Sequence, residues 1–217
     1  MSPAPEPTDA PSSAVLADRR RAAIAGHTGD HDTARELLGH QDPKVRATAL
    51  GALNRLDALE EAELLAALDD RDPTVRRRAC EEATRWRGEV DDPLPAPVAA
   101  ALAERLSDPD DTVIETAAWA CGERPPPAPL ALTRLIDLAT GHPDPLCREA
   151  AVAALGALGD PIALPAILTA TGDRATVRRR AVLALAPFEG PEVDAAIAAA
   201  REDRDWQVRQ AAEDLSP

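Results

Sequence analysis

Three arginine triplets stand out among the 217 residues: Arg19-Arg20-Arg21, Arg76-Arg77-Arg78 and Arg178-Arg179-Arg180. Clustered guanidinium groups suit anion recognition, because each offers a planar fork of donors to a phosphate or carboxylate. Against that stands the overall balance of 24 Lys and Arg to 38 Asp and Glu, a net charge of −14. Binding a duplex means neutralising many phosphates at once, so a net acidic chain is a poor general candidate for nucleic acid. Metal chemistry has few footholds. His27 and His31 stand four apart, but Thr28-Gly29-Asp30 between them reads as a helix end, and two His alone make a weak zinc set. Cys80, Cys121 and Cys147 have neither zinc-site spacing nor the even count of a disulfide framework. The carboxylate pairs Glu60-Glu61, Glu81-Glu82 and Asp91-Asp92 have no nucleophile beside them in the pattern. No Gly-rich phosphate loop, G-x-S-x-G or H-E-x-x-H occurs.

The elements that must carry these residues are helices. Alanine, the best helix former, fills about one position in five, while Trp, Phe and Tyr together make 2%. An all-β core draws on β-branched and aromatic side chains, so that class is excluded. The 21 prolines fall between the apolar stretches. No apolar run approaches the 18 or so residues of a membrane span, and the first residues, MSPAPEPTDAPSSAVLADRRR, lack the pattern of a secretory signal. The expected setting is cytoplasmic.

An internal repeat organises the chain. DPKVRATALGAL from Asp42, DPTVRRRACEEA from Asp72 and DPLCREAAVAAL from Asp144 align without gaps; weaker copies begin at Asp110, Arg174 and Asp205. Their anchor residues, each designated n, are Val45, Val75, Val113, Cys147, Val177 and Val208, spaced by 30 to 38 residues. Asp followed by Pro predicts a capped helix start. Small or apolar residues at n+4, n+5, n+7, n+8 and n+11 form the stripe of an amphipathic helix; in the first copy these are Ala49, Leu50, Ala52, Leu53 and Leu56. A shorter apolar helix lies between copies, as in LEEAELLAALDD and PVAAALAERLSD. A two-helix unit of this size cannot bury its apolar face alone, whereas stacked units share a continuous core. AVLADRRRAAIAG, before the first copy, reads as a degenerate further unit, and the Pro-rich GEVDDPLPAP and ERPPPAPL read as extended connectors.

The D-P-x-V-R-x-x-A pattern on the second helix resembles HEAT repeats, the short bacterial HEAT-like kind also seen in phycobilin lyases, from about Val15 to Ser216. Composition points to an all-α fold, and the resemblance implies a right-handed α-solenoid of about six to seven helix pairs over residues 14–217; the Pro-rich residues 1–13 before it are expected to be a disordered tail. It also implies a ladder in which the n+1 arginines (Arg46, Arg76, Arg148, Arg178, Arg209) pair with an aspartate of a neighbouring repeat, drawn from Asp42, Asp72, Asp110, Asp144 and Asp205. Ile114 replaces the Arg in one copy and Arg174 the Asp in another, so the ladder is expected to break there. Deoxyhypusine hydroxylase shares such repeats and takes its iron through His-Glu pairs; here the four His precede Thr28, Asp32, Gln41 and Pro143. A HEAT-like glycosylase would need a basic surface and aromatic residues that this composition lacks.

Candidate contacts follow from register. Position n+2 leans toward the concave face and reads Ala47, Arg77, Glu115, Glu149, Arg179 and Gln210, with Arg77–Glu115 and Glu149–Arg179 as possible ion pairs. Trp119 at n+6 has mixed company in the other copies and is expected at the surface, Trp86 at n+11 in the core, and Trp206 over the end of the stack. The three Cys occupy stripe positions, where Cys behaves as a small hydrophobe. The expected function is a non-enzymatic scaffold or adaptor, without cofactor or metal. It would bind a protein of unknown identity on its concave second-helix face through Arg77, Glu115, Trp119, Glu149 and Arg179. A phycobilin-lyase-like enzyme or subunit, and an anionic-ligand binder using the Arg triplets, are the alternatives.

Overall fold

The aspartates of the repeat cap helices as their spacing demands. The carboxylates of Asp42, Asp72, Asp110, Asp144 and Asp205 each accept the amide two residues on. Pro43, Pro73 and Pro145 follow at the first helical position, where the missing N–H has no partner to lose. The computed structural model describes residues 12–87, 92–124 and 129–215. Among these, thirteen α-helices and no strands are present. The tail expected over residues 1–13 lies mostly outside this range: only Ser12 and Ser13 are described, Ser12 capping the first helix and Ser13 opening it.

The chain falls into two compact units, residues up to Leu59 and residues from Glu60. The first holds α1 (Ser13–Thr28), α2 (His31–Leu37) and α3 (Pro43–Arg55). Gly29, at φ 81°, ends α1 in the left-handed conformation that glycine adopts at least cost, and Asp30 caps α2. Thr28-Gly29-Asp30 is therefore the helix break its composition indicates, and His27 and His31 lie exposed on either side of it. Ala22, Leu37, Val45 and Ala49 form one cluster of its core, and Ala34, Leu50 and Leu53 are fully buried as well.

The second unit contains α4 (Glu61–Leu68), α5 (Pro73–Ala83), α6 (Ala96–Glu104), α7 (Asp111–Glu123), α8 (Pro129–Gly141), α9 (Pro145–Leu158), α10 (Leu164–Ala170), α11 (Ala175–Ala184), α12 (Pro191–Arg201) and α13 (Trp206–Asp214). Helices α5, α7, α9, α11 and α13 pack one on the next as a layer; α4, α6, α8 and α10 pack in the same order as another. Each even-numbered helix also packs on the helix that follows it. This is an α-solenoid of helix pairs. Most stripe residues are buried, among them Val75, Ala79, Val113, Ala117, Ala151, Val152, Val177 and Val182, while Leu158 and Phe188 at n+11 are half-buried.

Small residues let the layer close. A Cβ on Gly156 would stand 2.6 Å from Cα of Ala184, and one on Gly122 2.9 Å from Cα of Ala154. Each pair joins n+9 of one second helix to n+7 of the next, so alanine and glycine here are the condition for close approach. Trp86, Cys80, Cys121 and Cys147 are buried as their register implies. Burial raises all three thiols, that of Cys121 to about 12. Arg124, which the repeat does not announce, is also buried; it donates to the carbonyls of Trp86 (2.6 Å) and Asp92 (2.7 Å).

Candidate functional site

The second-helix layer has two polar margins, and the ladder occupies the first. Each n+1 arginine turns back onto its own loop: Nη1 of Arg76 donates to the Asp70 carbonyl, and that of Arg148 to the carbonyls of His142 and Pro143. Nη1 of Arg178 donates to the Asp173 carbonyl, and that of Arg209 to the Asp203 carbonyl. Nε and Nη2 then reach forward to a carboxylate of the next repeat. Arg76 grips Asp108 at 2.7 and 2.7 Å, Arg148 grips Asp173 at 2.6 and 2.8 Å, and Arg178 grips Asp203 at 2.9 and 2.7 Å. These two-point contacts are the strong geometry of Arg with a carboxylate.

The aspartates expected in these rungs are not the ones used. Asp72, Asp110, Asp144 and Asp205, at n−3, spend their side chains capping their own helices. The rung carboxylates sit at n−5 (Asp108, Asp203) or, in a loop shorter by one residue, at n−4 (Asp173). Arg174 therefore breaks nothing, because Asp173 beside it completes the rung. The break at Ile114 is real, and it is matched on the other side: its partner position n−5 is His142.

The n−5 residue has a second duty, which explains that histidine. Oδ1 of Asp108 and of Asp203 accepts the amide of the n−3 residue, and Nδ1 of His142 accepts the Asp144 amide at 3.2 Å. His40 does the same for Asp42. With Nδ1 an acceptor, the neutral ring carries its proton on Nε2, which faces Asp111 at 3.7 Å. Asp111, His142 and Cys147 bring ligand-type atoms within 4.8 Å of one another. The Cys147 thiol donates to the backbone carbonyl of Asp111 at 3.4 Å, and its pKa is pushed up to about 12 by burial.

The second margin is the solvent side of the same helices, where two hollows lie. The first, across α7 and α9, holds Trp119, Glu115, Thr116, Leu146 and Glu149, with Arg85 and Arg180 at its sides. Trp119 is 38% exposed and Leu146 52%. The second, across α11 and α13, holds Trp206, Arg179, Leu183, Gln210 and Asp214. Trp206 is 65% exposed, so it lies along this face rather than sealing the end of the stack.

Of the five residues expected to make contacts, Glu115, Trp119 and Glu149 share the first hollow, and Arg179 belongs to the second. Arg77 lines neither; it pairs within α5 with Glu81 at 3.4 Å. Neither expected cross-helix pair forms, because Glu149 takes Arg180 at 3.5 Å instead of Arg179. Arg85, Thr116, Leu146 and Arg180 were missed. At 100° per residue, n+3, n+6, n+10 and n−1 fall on one stripe with n+2 at its edge, so a wheel centred on Trp119 finds them.

These helix pairs define a repeat protein of the α-solenoid class. A profile of HEAT repeats matches residues 61–140, 98–186 and 132–215, more than half of the chain, and the chain belongs to the HEAT-repeat family. Similar solved structures share its fold. One is an engineered protein at 21% identity, covering 86% of this chain and 96% of that one with a TM-score of 0.62. Another is the E. coli protein YibA (16% identity, 94% and 75%, TM-score 0.61). A third is a designed armadillo repeat protein in complex with the peptide (KR)4 (16%, 94% and 98%, TM-score 0.56). No curated protein matches the chain. Among the described residues, no helix is long and apolar enough to cross a membrane.

Proposed function

We propose that the protein is a non-enzymatic scaffold whose second-helix face docks a protein partner. The observation that carries this reading is the hollow across α7 and α9, where the indole of Trp119 and the side chain of Leu146 stand exposed within a ring of charged groups. Tryptophan is a favoured interface anchor, and an apolar floor with a polar rim is the usual anatomy of a docking site. The thiols argue against nucleophilic catalysis, since burial keeps all three protonated. Six of the nine triplet arginines are engaged within the protein, which leaves only Arg19, Arg20 and Arg179 for an anion. Arg76 and Arg178 are ladder rungs, Arg77 and Arg78 pair with Glu81, Arg180 pairs with Glu149, and Arg21 pairs with Asp18.

A photo-crosslinking residue at Thr116, in the hollow, and another at exposed Ala100 on α6 test the assignment in native lysate. A discrete protein captured from position 116, absent from position 100 and lost in Trp119→Ala, is the expected result. Equal capture from both positions overturns it.

A further inference from the structure

The two hollows repeat one plan, with opposite charge at position n+2. Each sets an exposed tryptophan near a charged side chain at position n+2: Trp119 with Glu115 in the first, Trp206 with Arg179 in the second. Among the described residues neither Glu115 nor Arg179 has an ion-pair partner, and of the other charges lining the two hollows Glu81, Glu149 and Arg180 are ion-paired while Arg85 and Asp214 are not. Glu81 is held by Arg77 and Arg78, Glu149 by Arg180, and Asp214 by the Gln210 amide at 3.0 Å. No cation lies over either exposed indole; the one such contact among the described residues is Arg87 over Trp86.

From this we infer that the face accommodates an extended segment of the partner protein bearing a basic side chain and an acidic side chain about five or six positions apart. The inference rests on the docking reading above. The basic group enters the Trp119 hollow, where the indole face and the Glu115 carboxylate both favour a cation. The acidic group meets the Arg179 fork beside Trp206. The spacing follows from the stack. Glu115 and Arg179 share one register position on α7 and α11, two helix steps apart, or about 16–20 Å at the usual 8–10 Å between packed helices. An extended chain covers that in about five or six residues at 3.3–3.6 Å each.

Fluorescein-labelled ten-residue peptides in an Ala/Ser background test this by fluorescence anisotropy on the full chain. One carries Arg and Glu six positions apart, two carry like charges at that spacing (Arg and Arg, Glu and Glu), and one has Arg and Glu adjacent. The mixed, spaced peptide is expected to bind at least about ten-fold tighter than the other three, from one charge pair gained in each comparison. Reversing one charge should move the preference rather than abolish it: Arg179→Glu should select the Arg-Arg peptide, and Glu115→Arg the Glu-Glu peptide. Both positions are on the solvent side, and unchanged helicity and melting temperature confirm the fold of each variant. No binding of the mixed peptide, or an unchanged preference in both variants, overturns the inference. If a partner still crosslinks from position 116 in that case, the docking face stands and only its charge pattern falls.

Discussion

Positions n+1 and n+2 are neighbours on every helix of the α5–α7–α9–α11–α13 layer, yet their side chains are governed differently. At n+1, Arg76 and Arg178 are buried and Arg148 is nearly so, each held by a loop carbonyl and a carboxylate of the next repeat. At n+2, Arg77, Glu115, Glu149 and Arg179 face solvent and follow no common pattern of partners. The first margin answers to the backbone, which recurs with each repeat, so its residue type recurs too. The second answers only to water and to whatever docks there, and its residues vary within the chain. In a solenoid, stability should be read from the recurring positions and specificity from the varying ones.

Removing Asp108 should have the largest effect. Its side chain is fully buried and faces Arg76 at 2.7 Å and Arg105 at 3.6 Å, so Asp108→Ala strands buried guanidinium charge. Breaking a buried pair from one side costs about 3–5 kcal/mol. Arg77→Ala, one residue from Arg76 but on the exposed margin, should stay within about 0.5 kcal/mol. Urea denaturation of both variants checks the contrast, and equal losses would erase it.

Close approach of the second helices comes next. Gly156→Ala puts a methyl group 2.6 Å from the Ala184 backbone, which cannot give way without moving α11. Overpacking of this kind costs about 1–3 kcal/mol, against a helix-propensity gain of about 1 kcal/mol. The same substitution at Gly141, where a Cβ meets nothing within 4 Å, should be neutral or stabilising. Thermal unfolding of the pair gives the sign directly.

Acid tests the rungs as a group. The Arg148 side chain holds the Asp173 carboxyl below its ordinary range, and Arg178 does the same for Asp203. As pH falls, the unfolded chain takes up protons at these groups first, near the ordinary aspartate value of about 3.9. Their stabilisation is complete above that value and drains away as pH falls through the lower folded values. Arg148→Met with Arg178→Met should therefore flatten the loss of stability below about pH 4, as followed by denaturant midpoints.

The repeat, the capped starts, the core stripe and the buried Trp86 were all legible in the sequence, because each rests on local periodicity or on one capping contact. The ladder was legible only by half. Its arginines follow the helix register, but its aspartates sit in loops whose length varies by one residue, and the capping aspartates nearby offer a more conspicuous decoy. The docking face suffered from a related ambiguity. Choosing n+2 alone found Glu115, Glu149 and Arg179 but passed over Arg180, because deciding which of two adjacent residues reaches across the groove requires the crossing of the helices. Trp206 illustrates the same limit: its place at a helix start is plain in the sequence, its direction is not.

The smallest effect would come from completing the ladder where the chain leaves it out. Between α7 and α9 the rung positions hold Ile114 and His142 instead of Arg and Asp, and both departures occur together. His142 keeps the local duty of an n−5 residue by accepting the Asp144 amide, a duty that an aspartate performs at Asp108 and Asp203. His142→Asp should thus preserve the loop, and Ile114→Arg should gain a forward partner only when that aspartate is present. Alone, Ile114→Arg trades a buried apolar side chain for a cation without its carboxylate and should destabilise. Together the two should show a favourable coupling of about 0.5–1 kcal/mol, the lower end for residues in contact, since the lost burial of Ile114 is common to the single and double variants and cancels in the cycle. A double-mutant cycle in urea measures this. Additive effects would mean that the rung geometry depends on the particular crossing of α7 and α9 and is not a transferable property of the repeat.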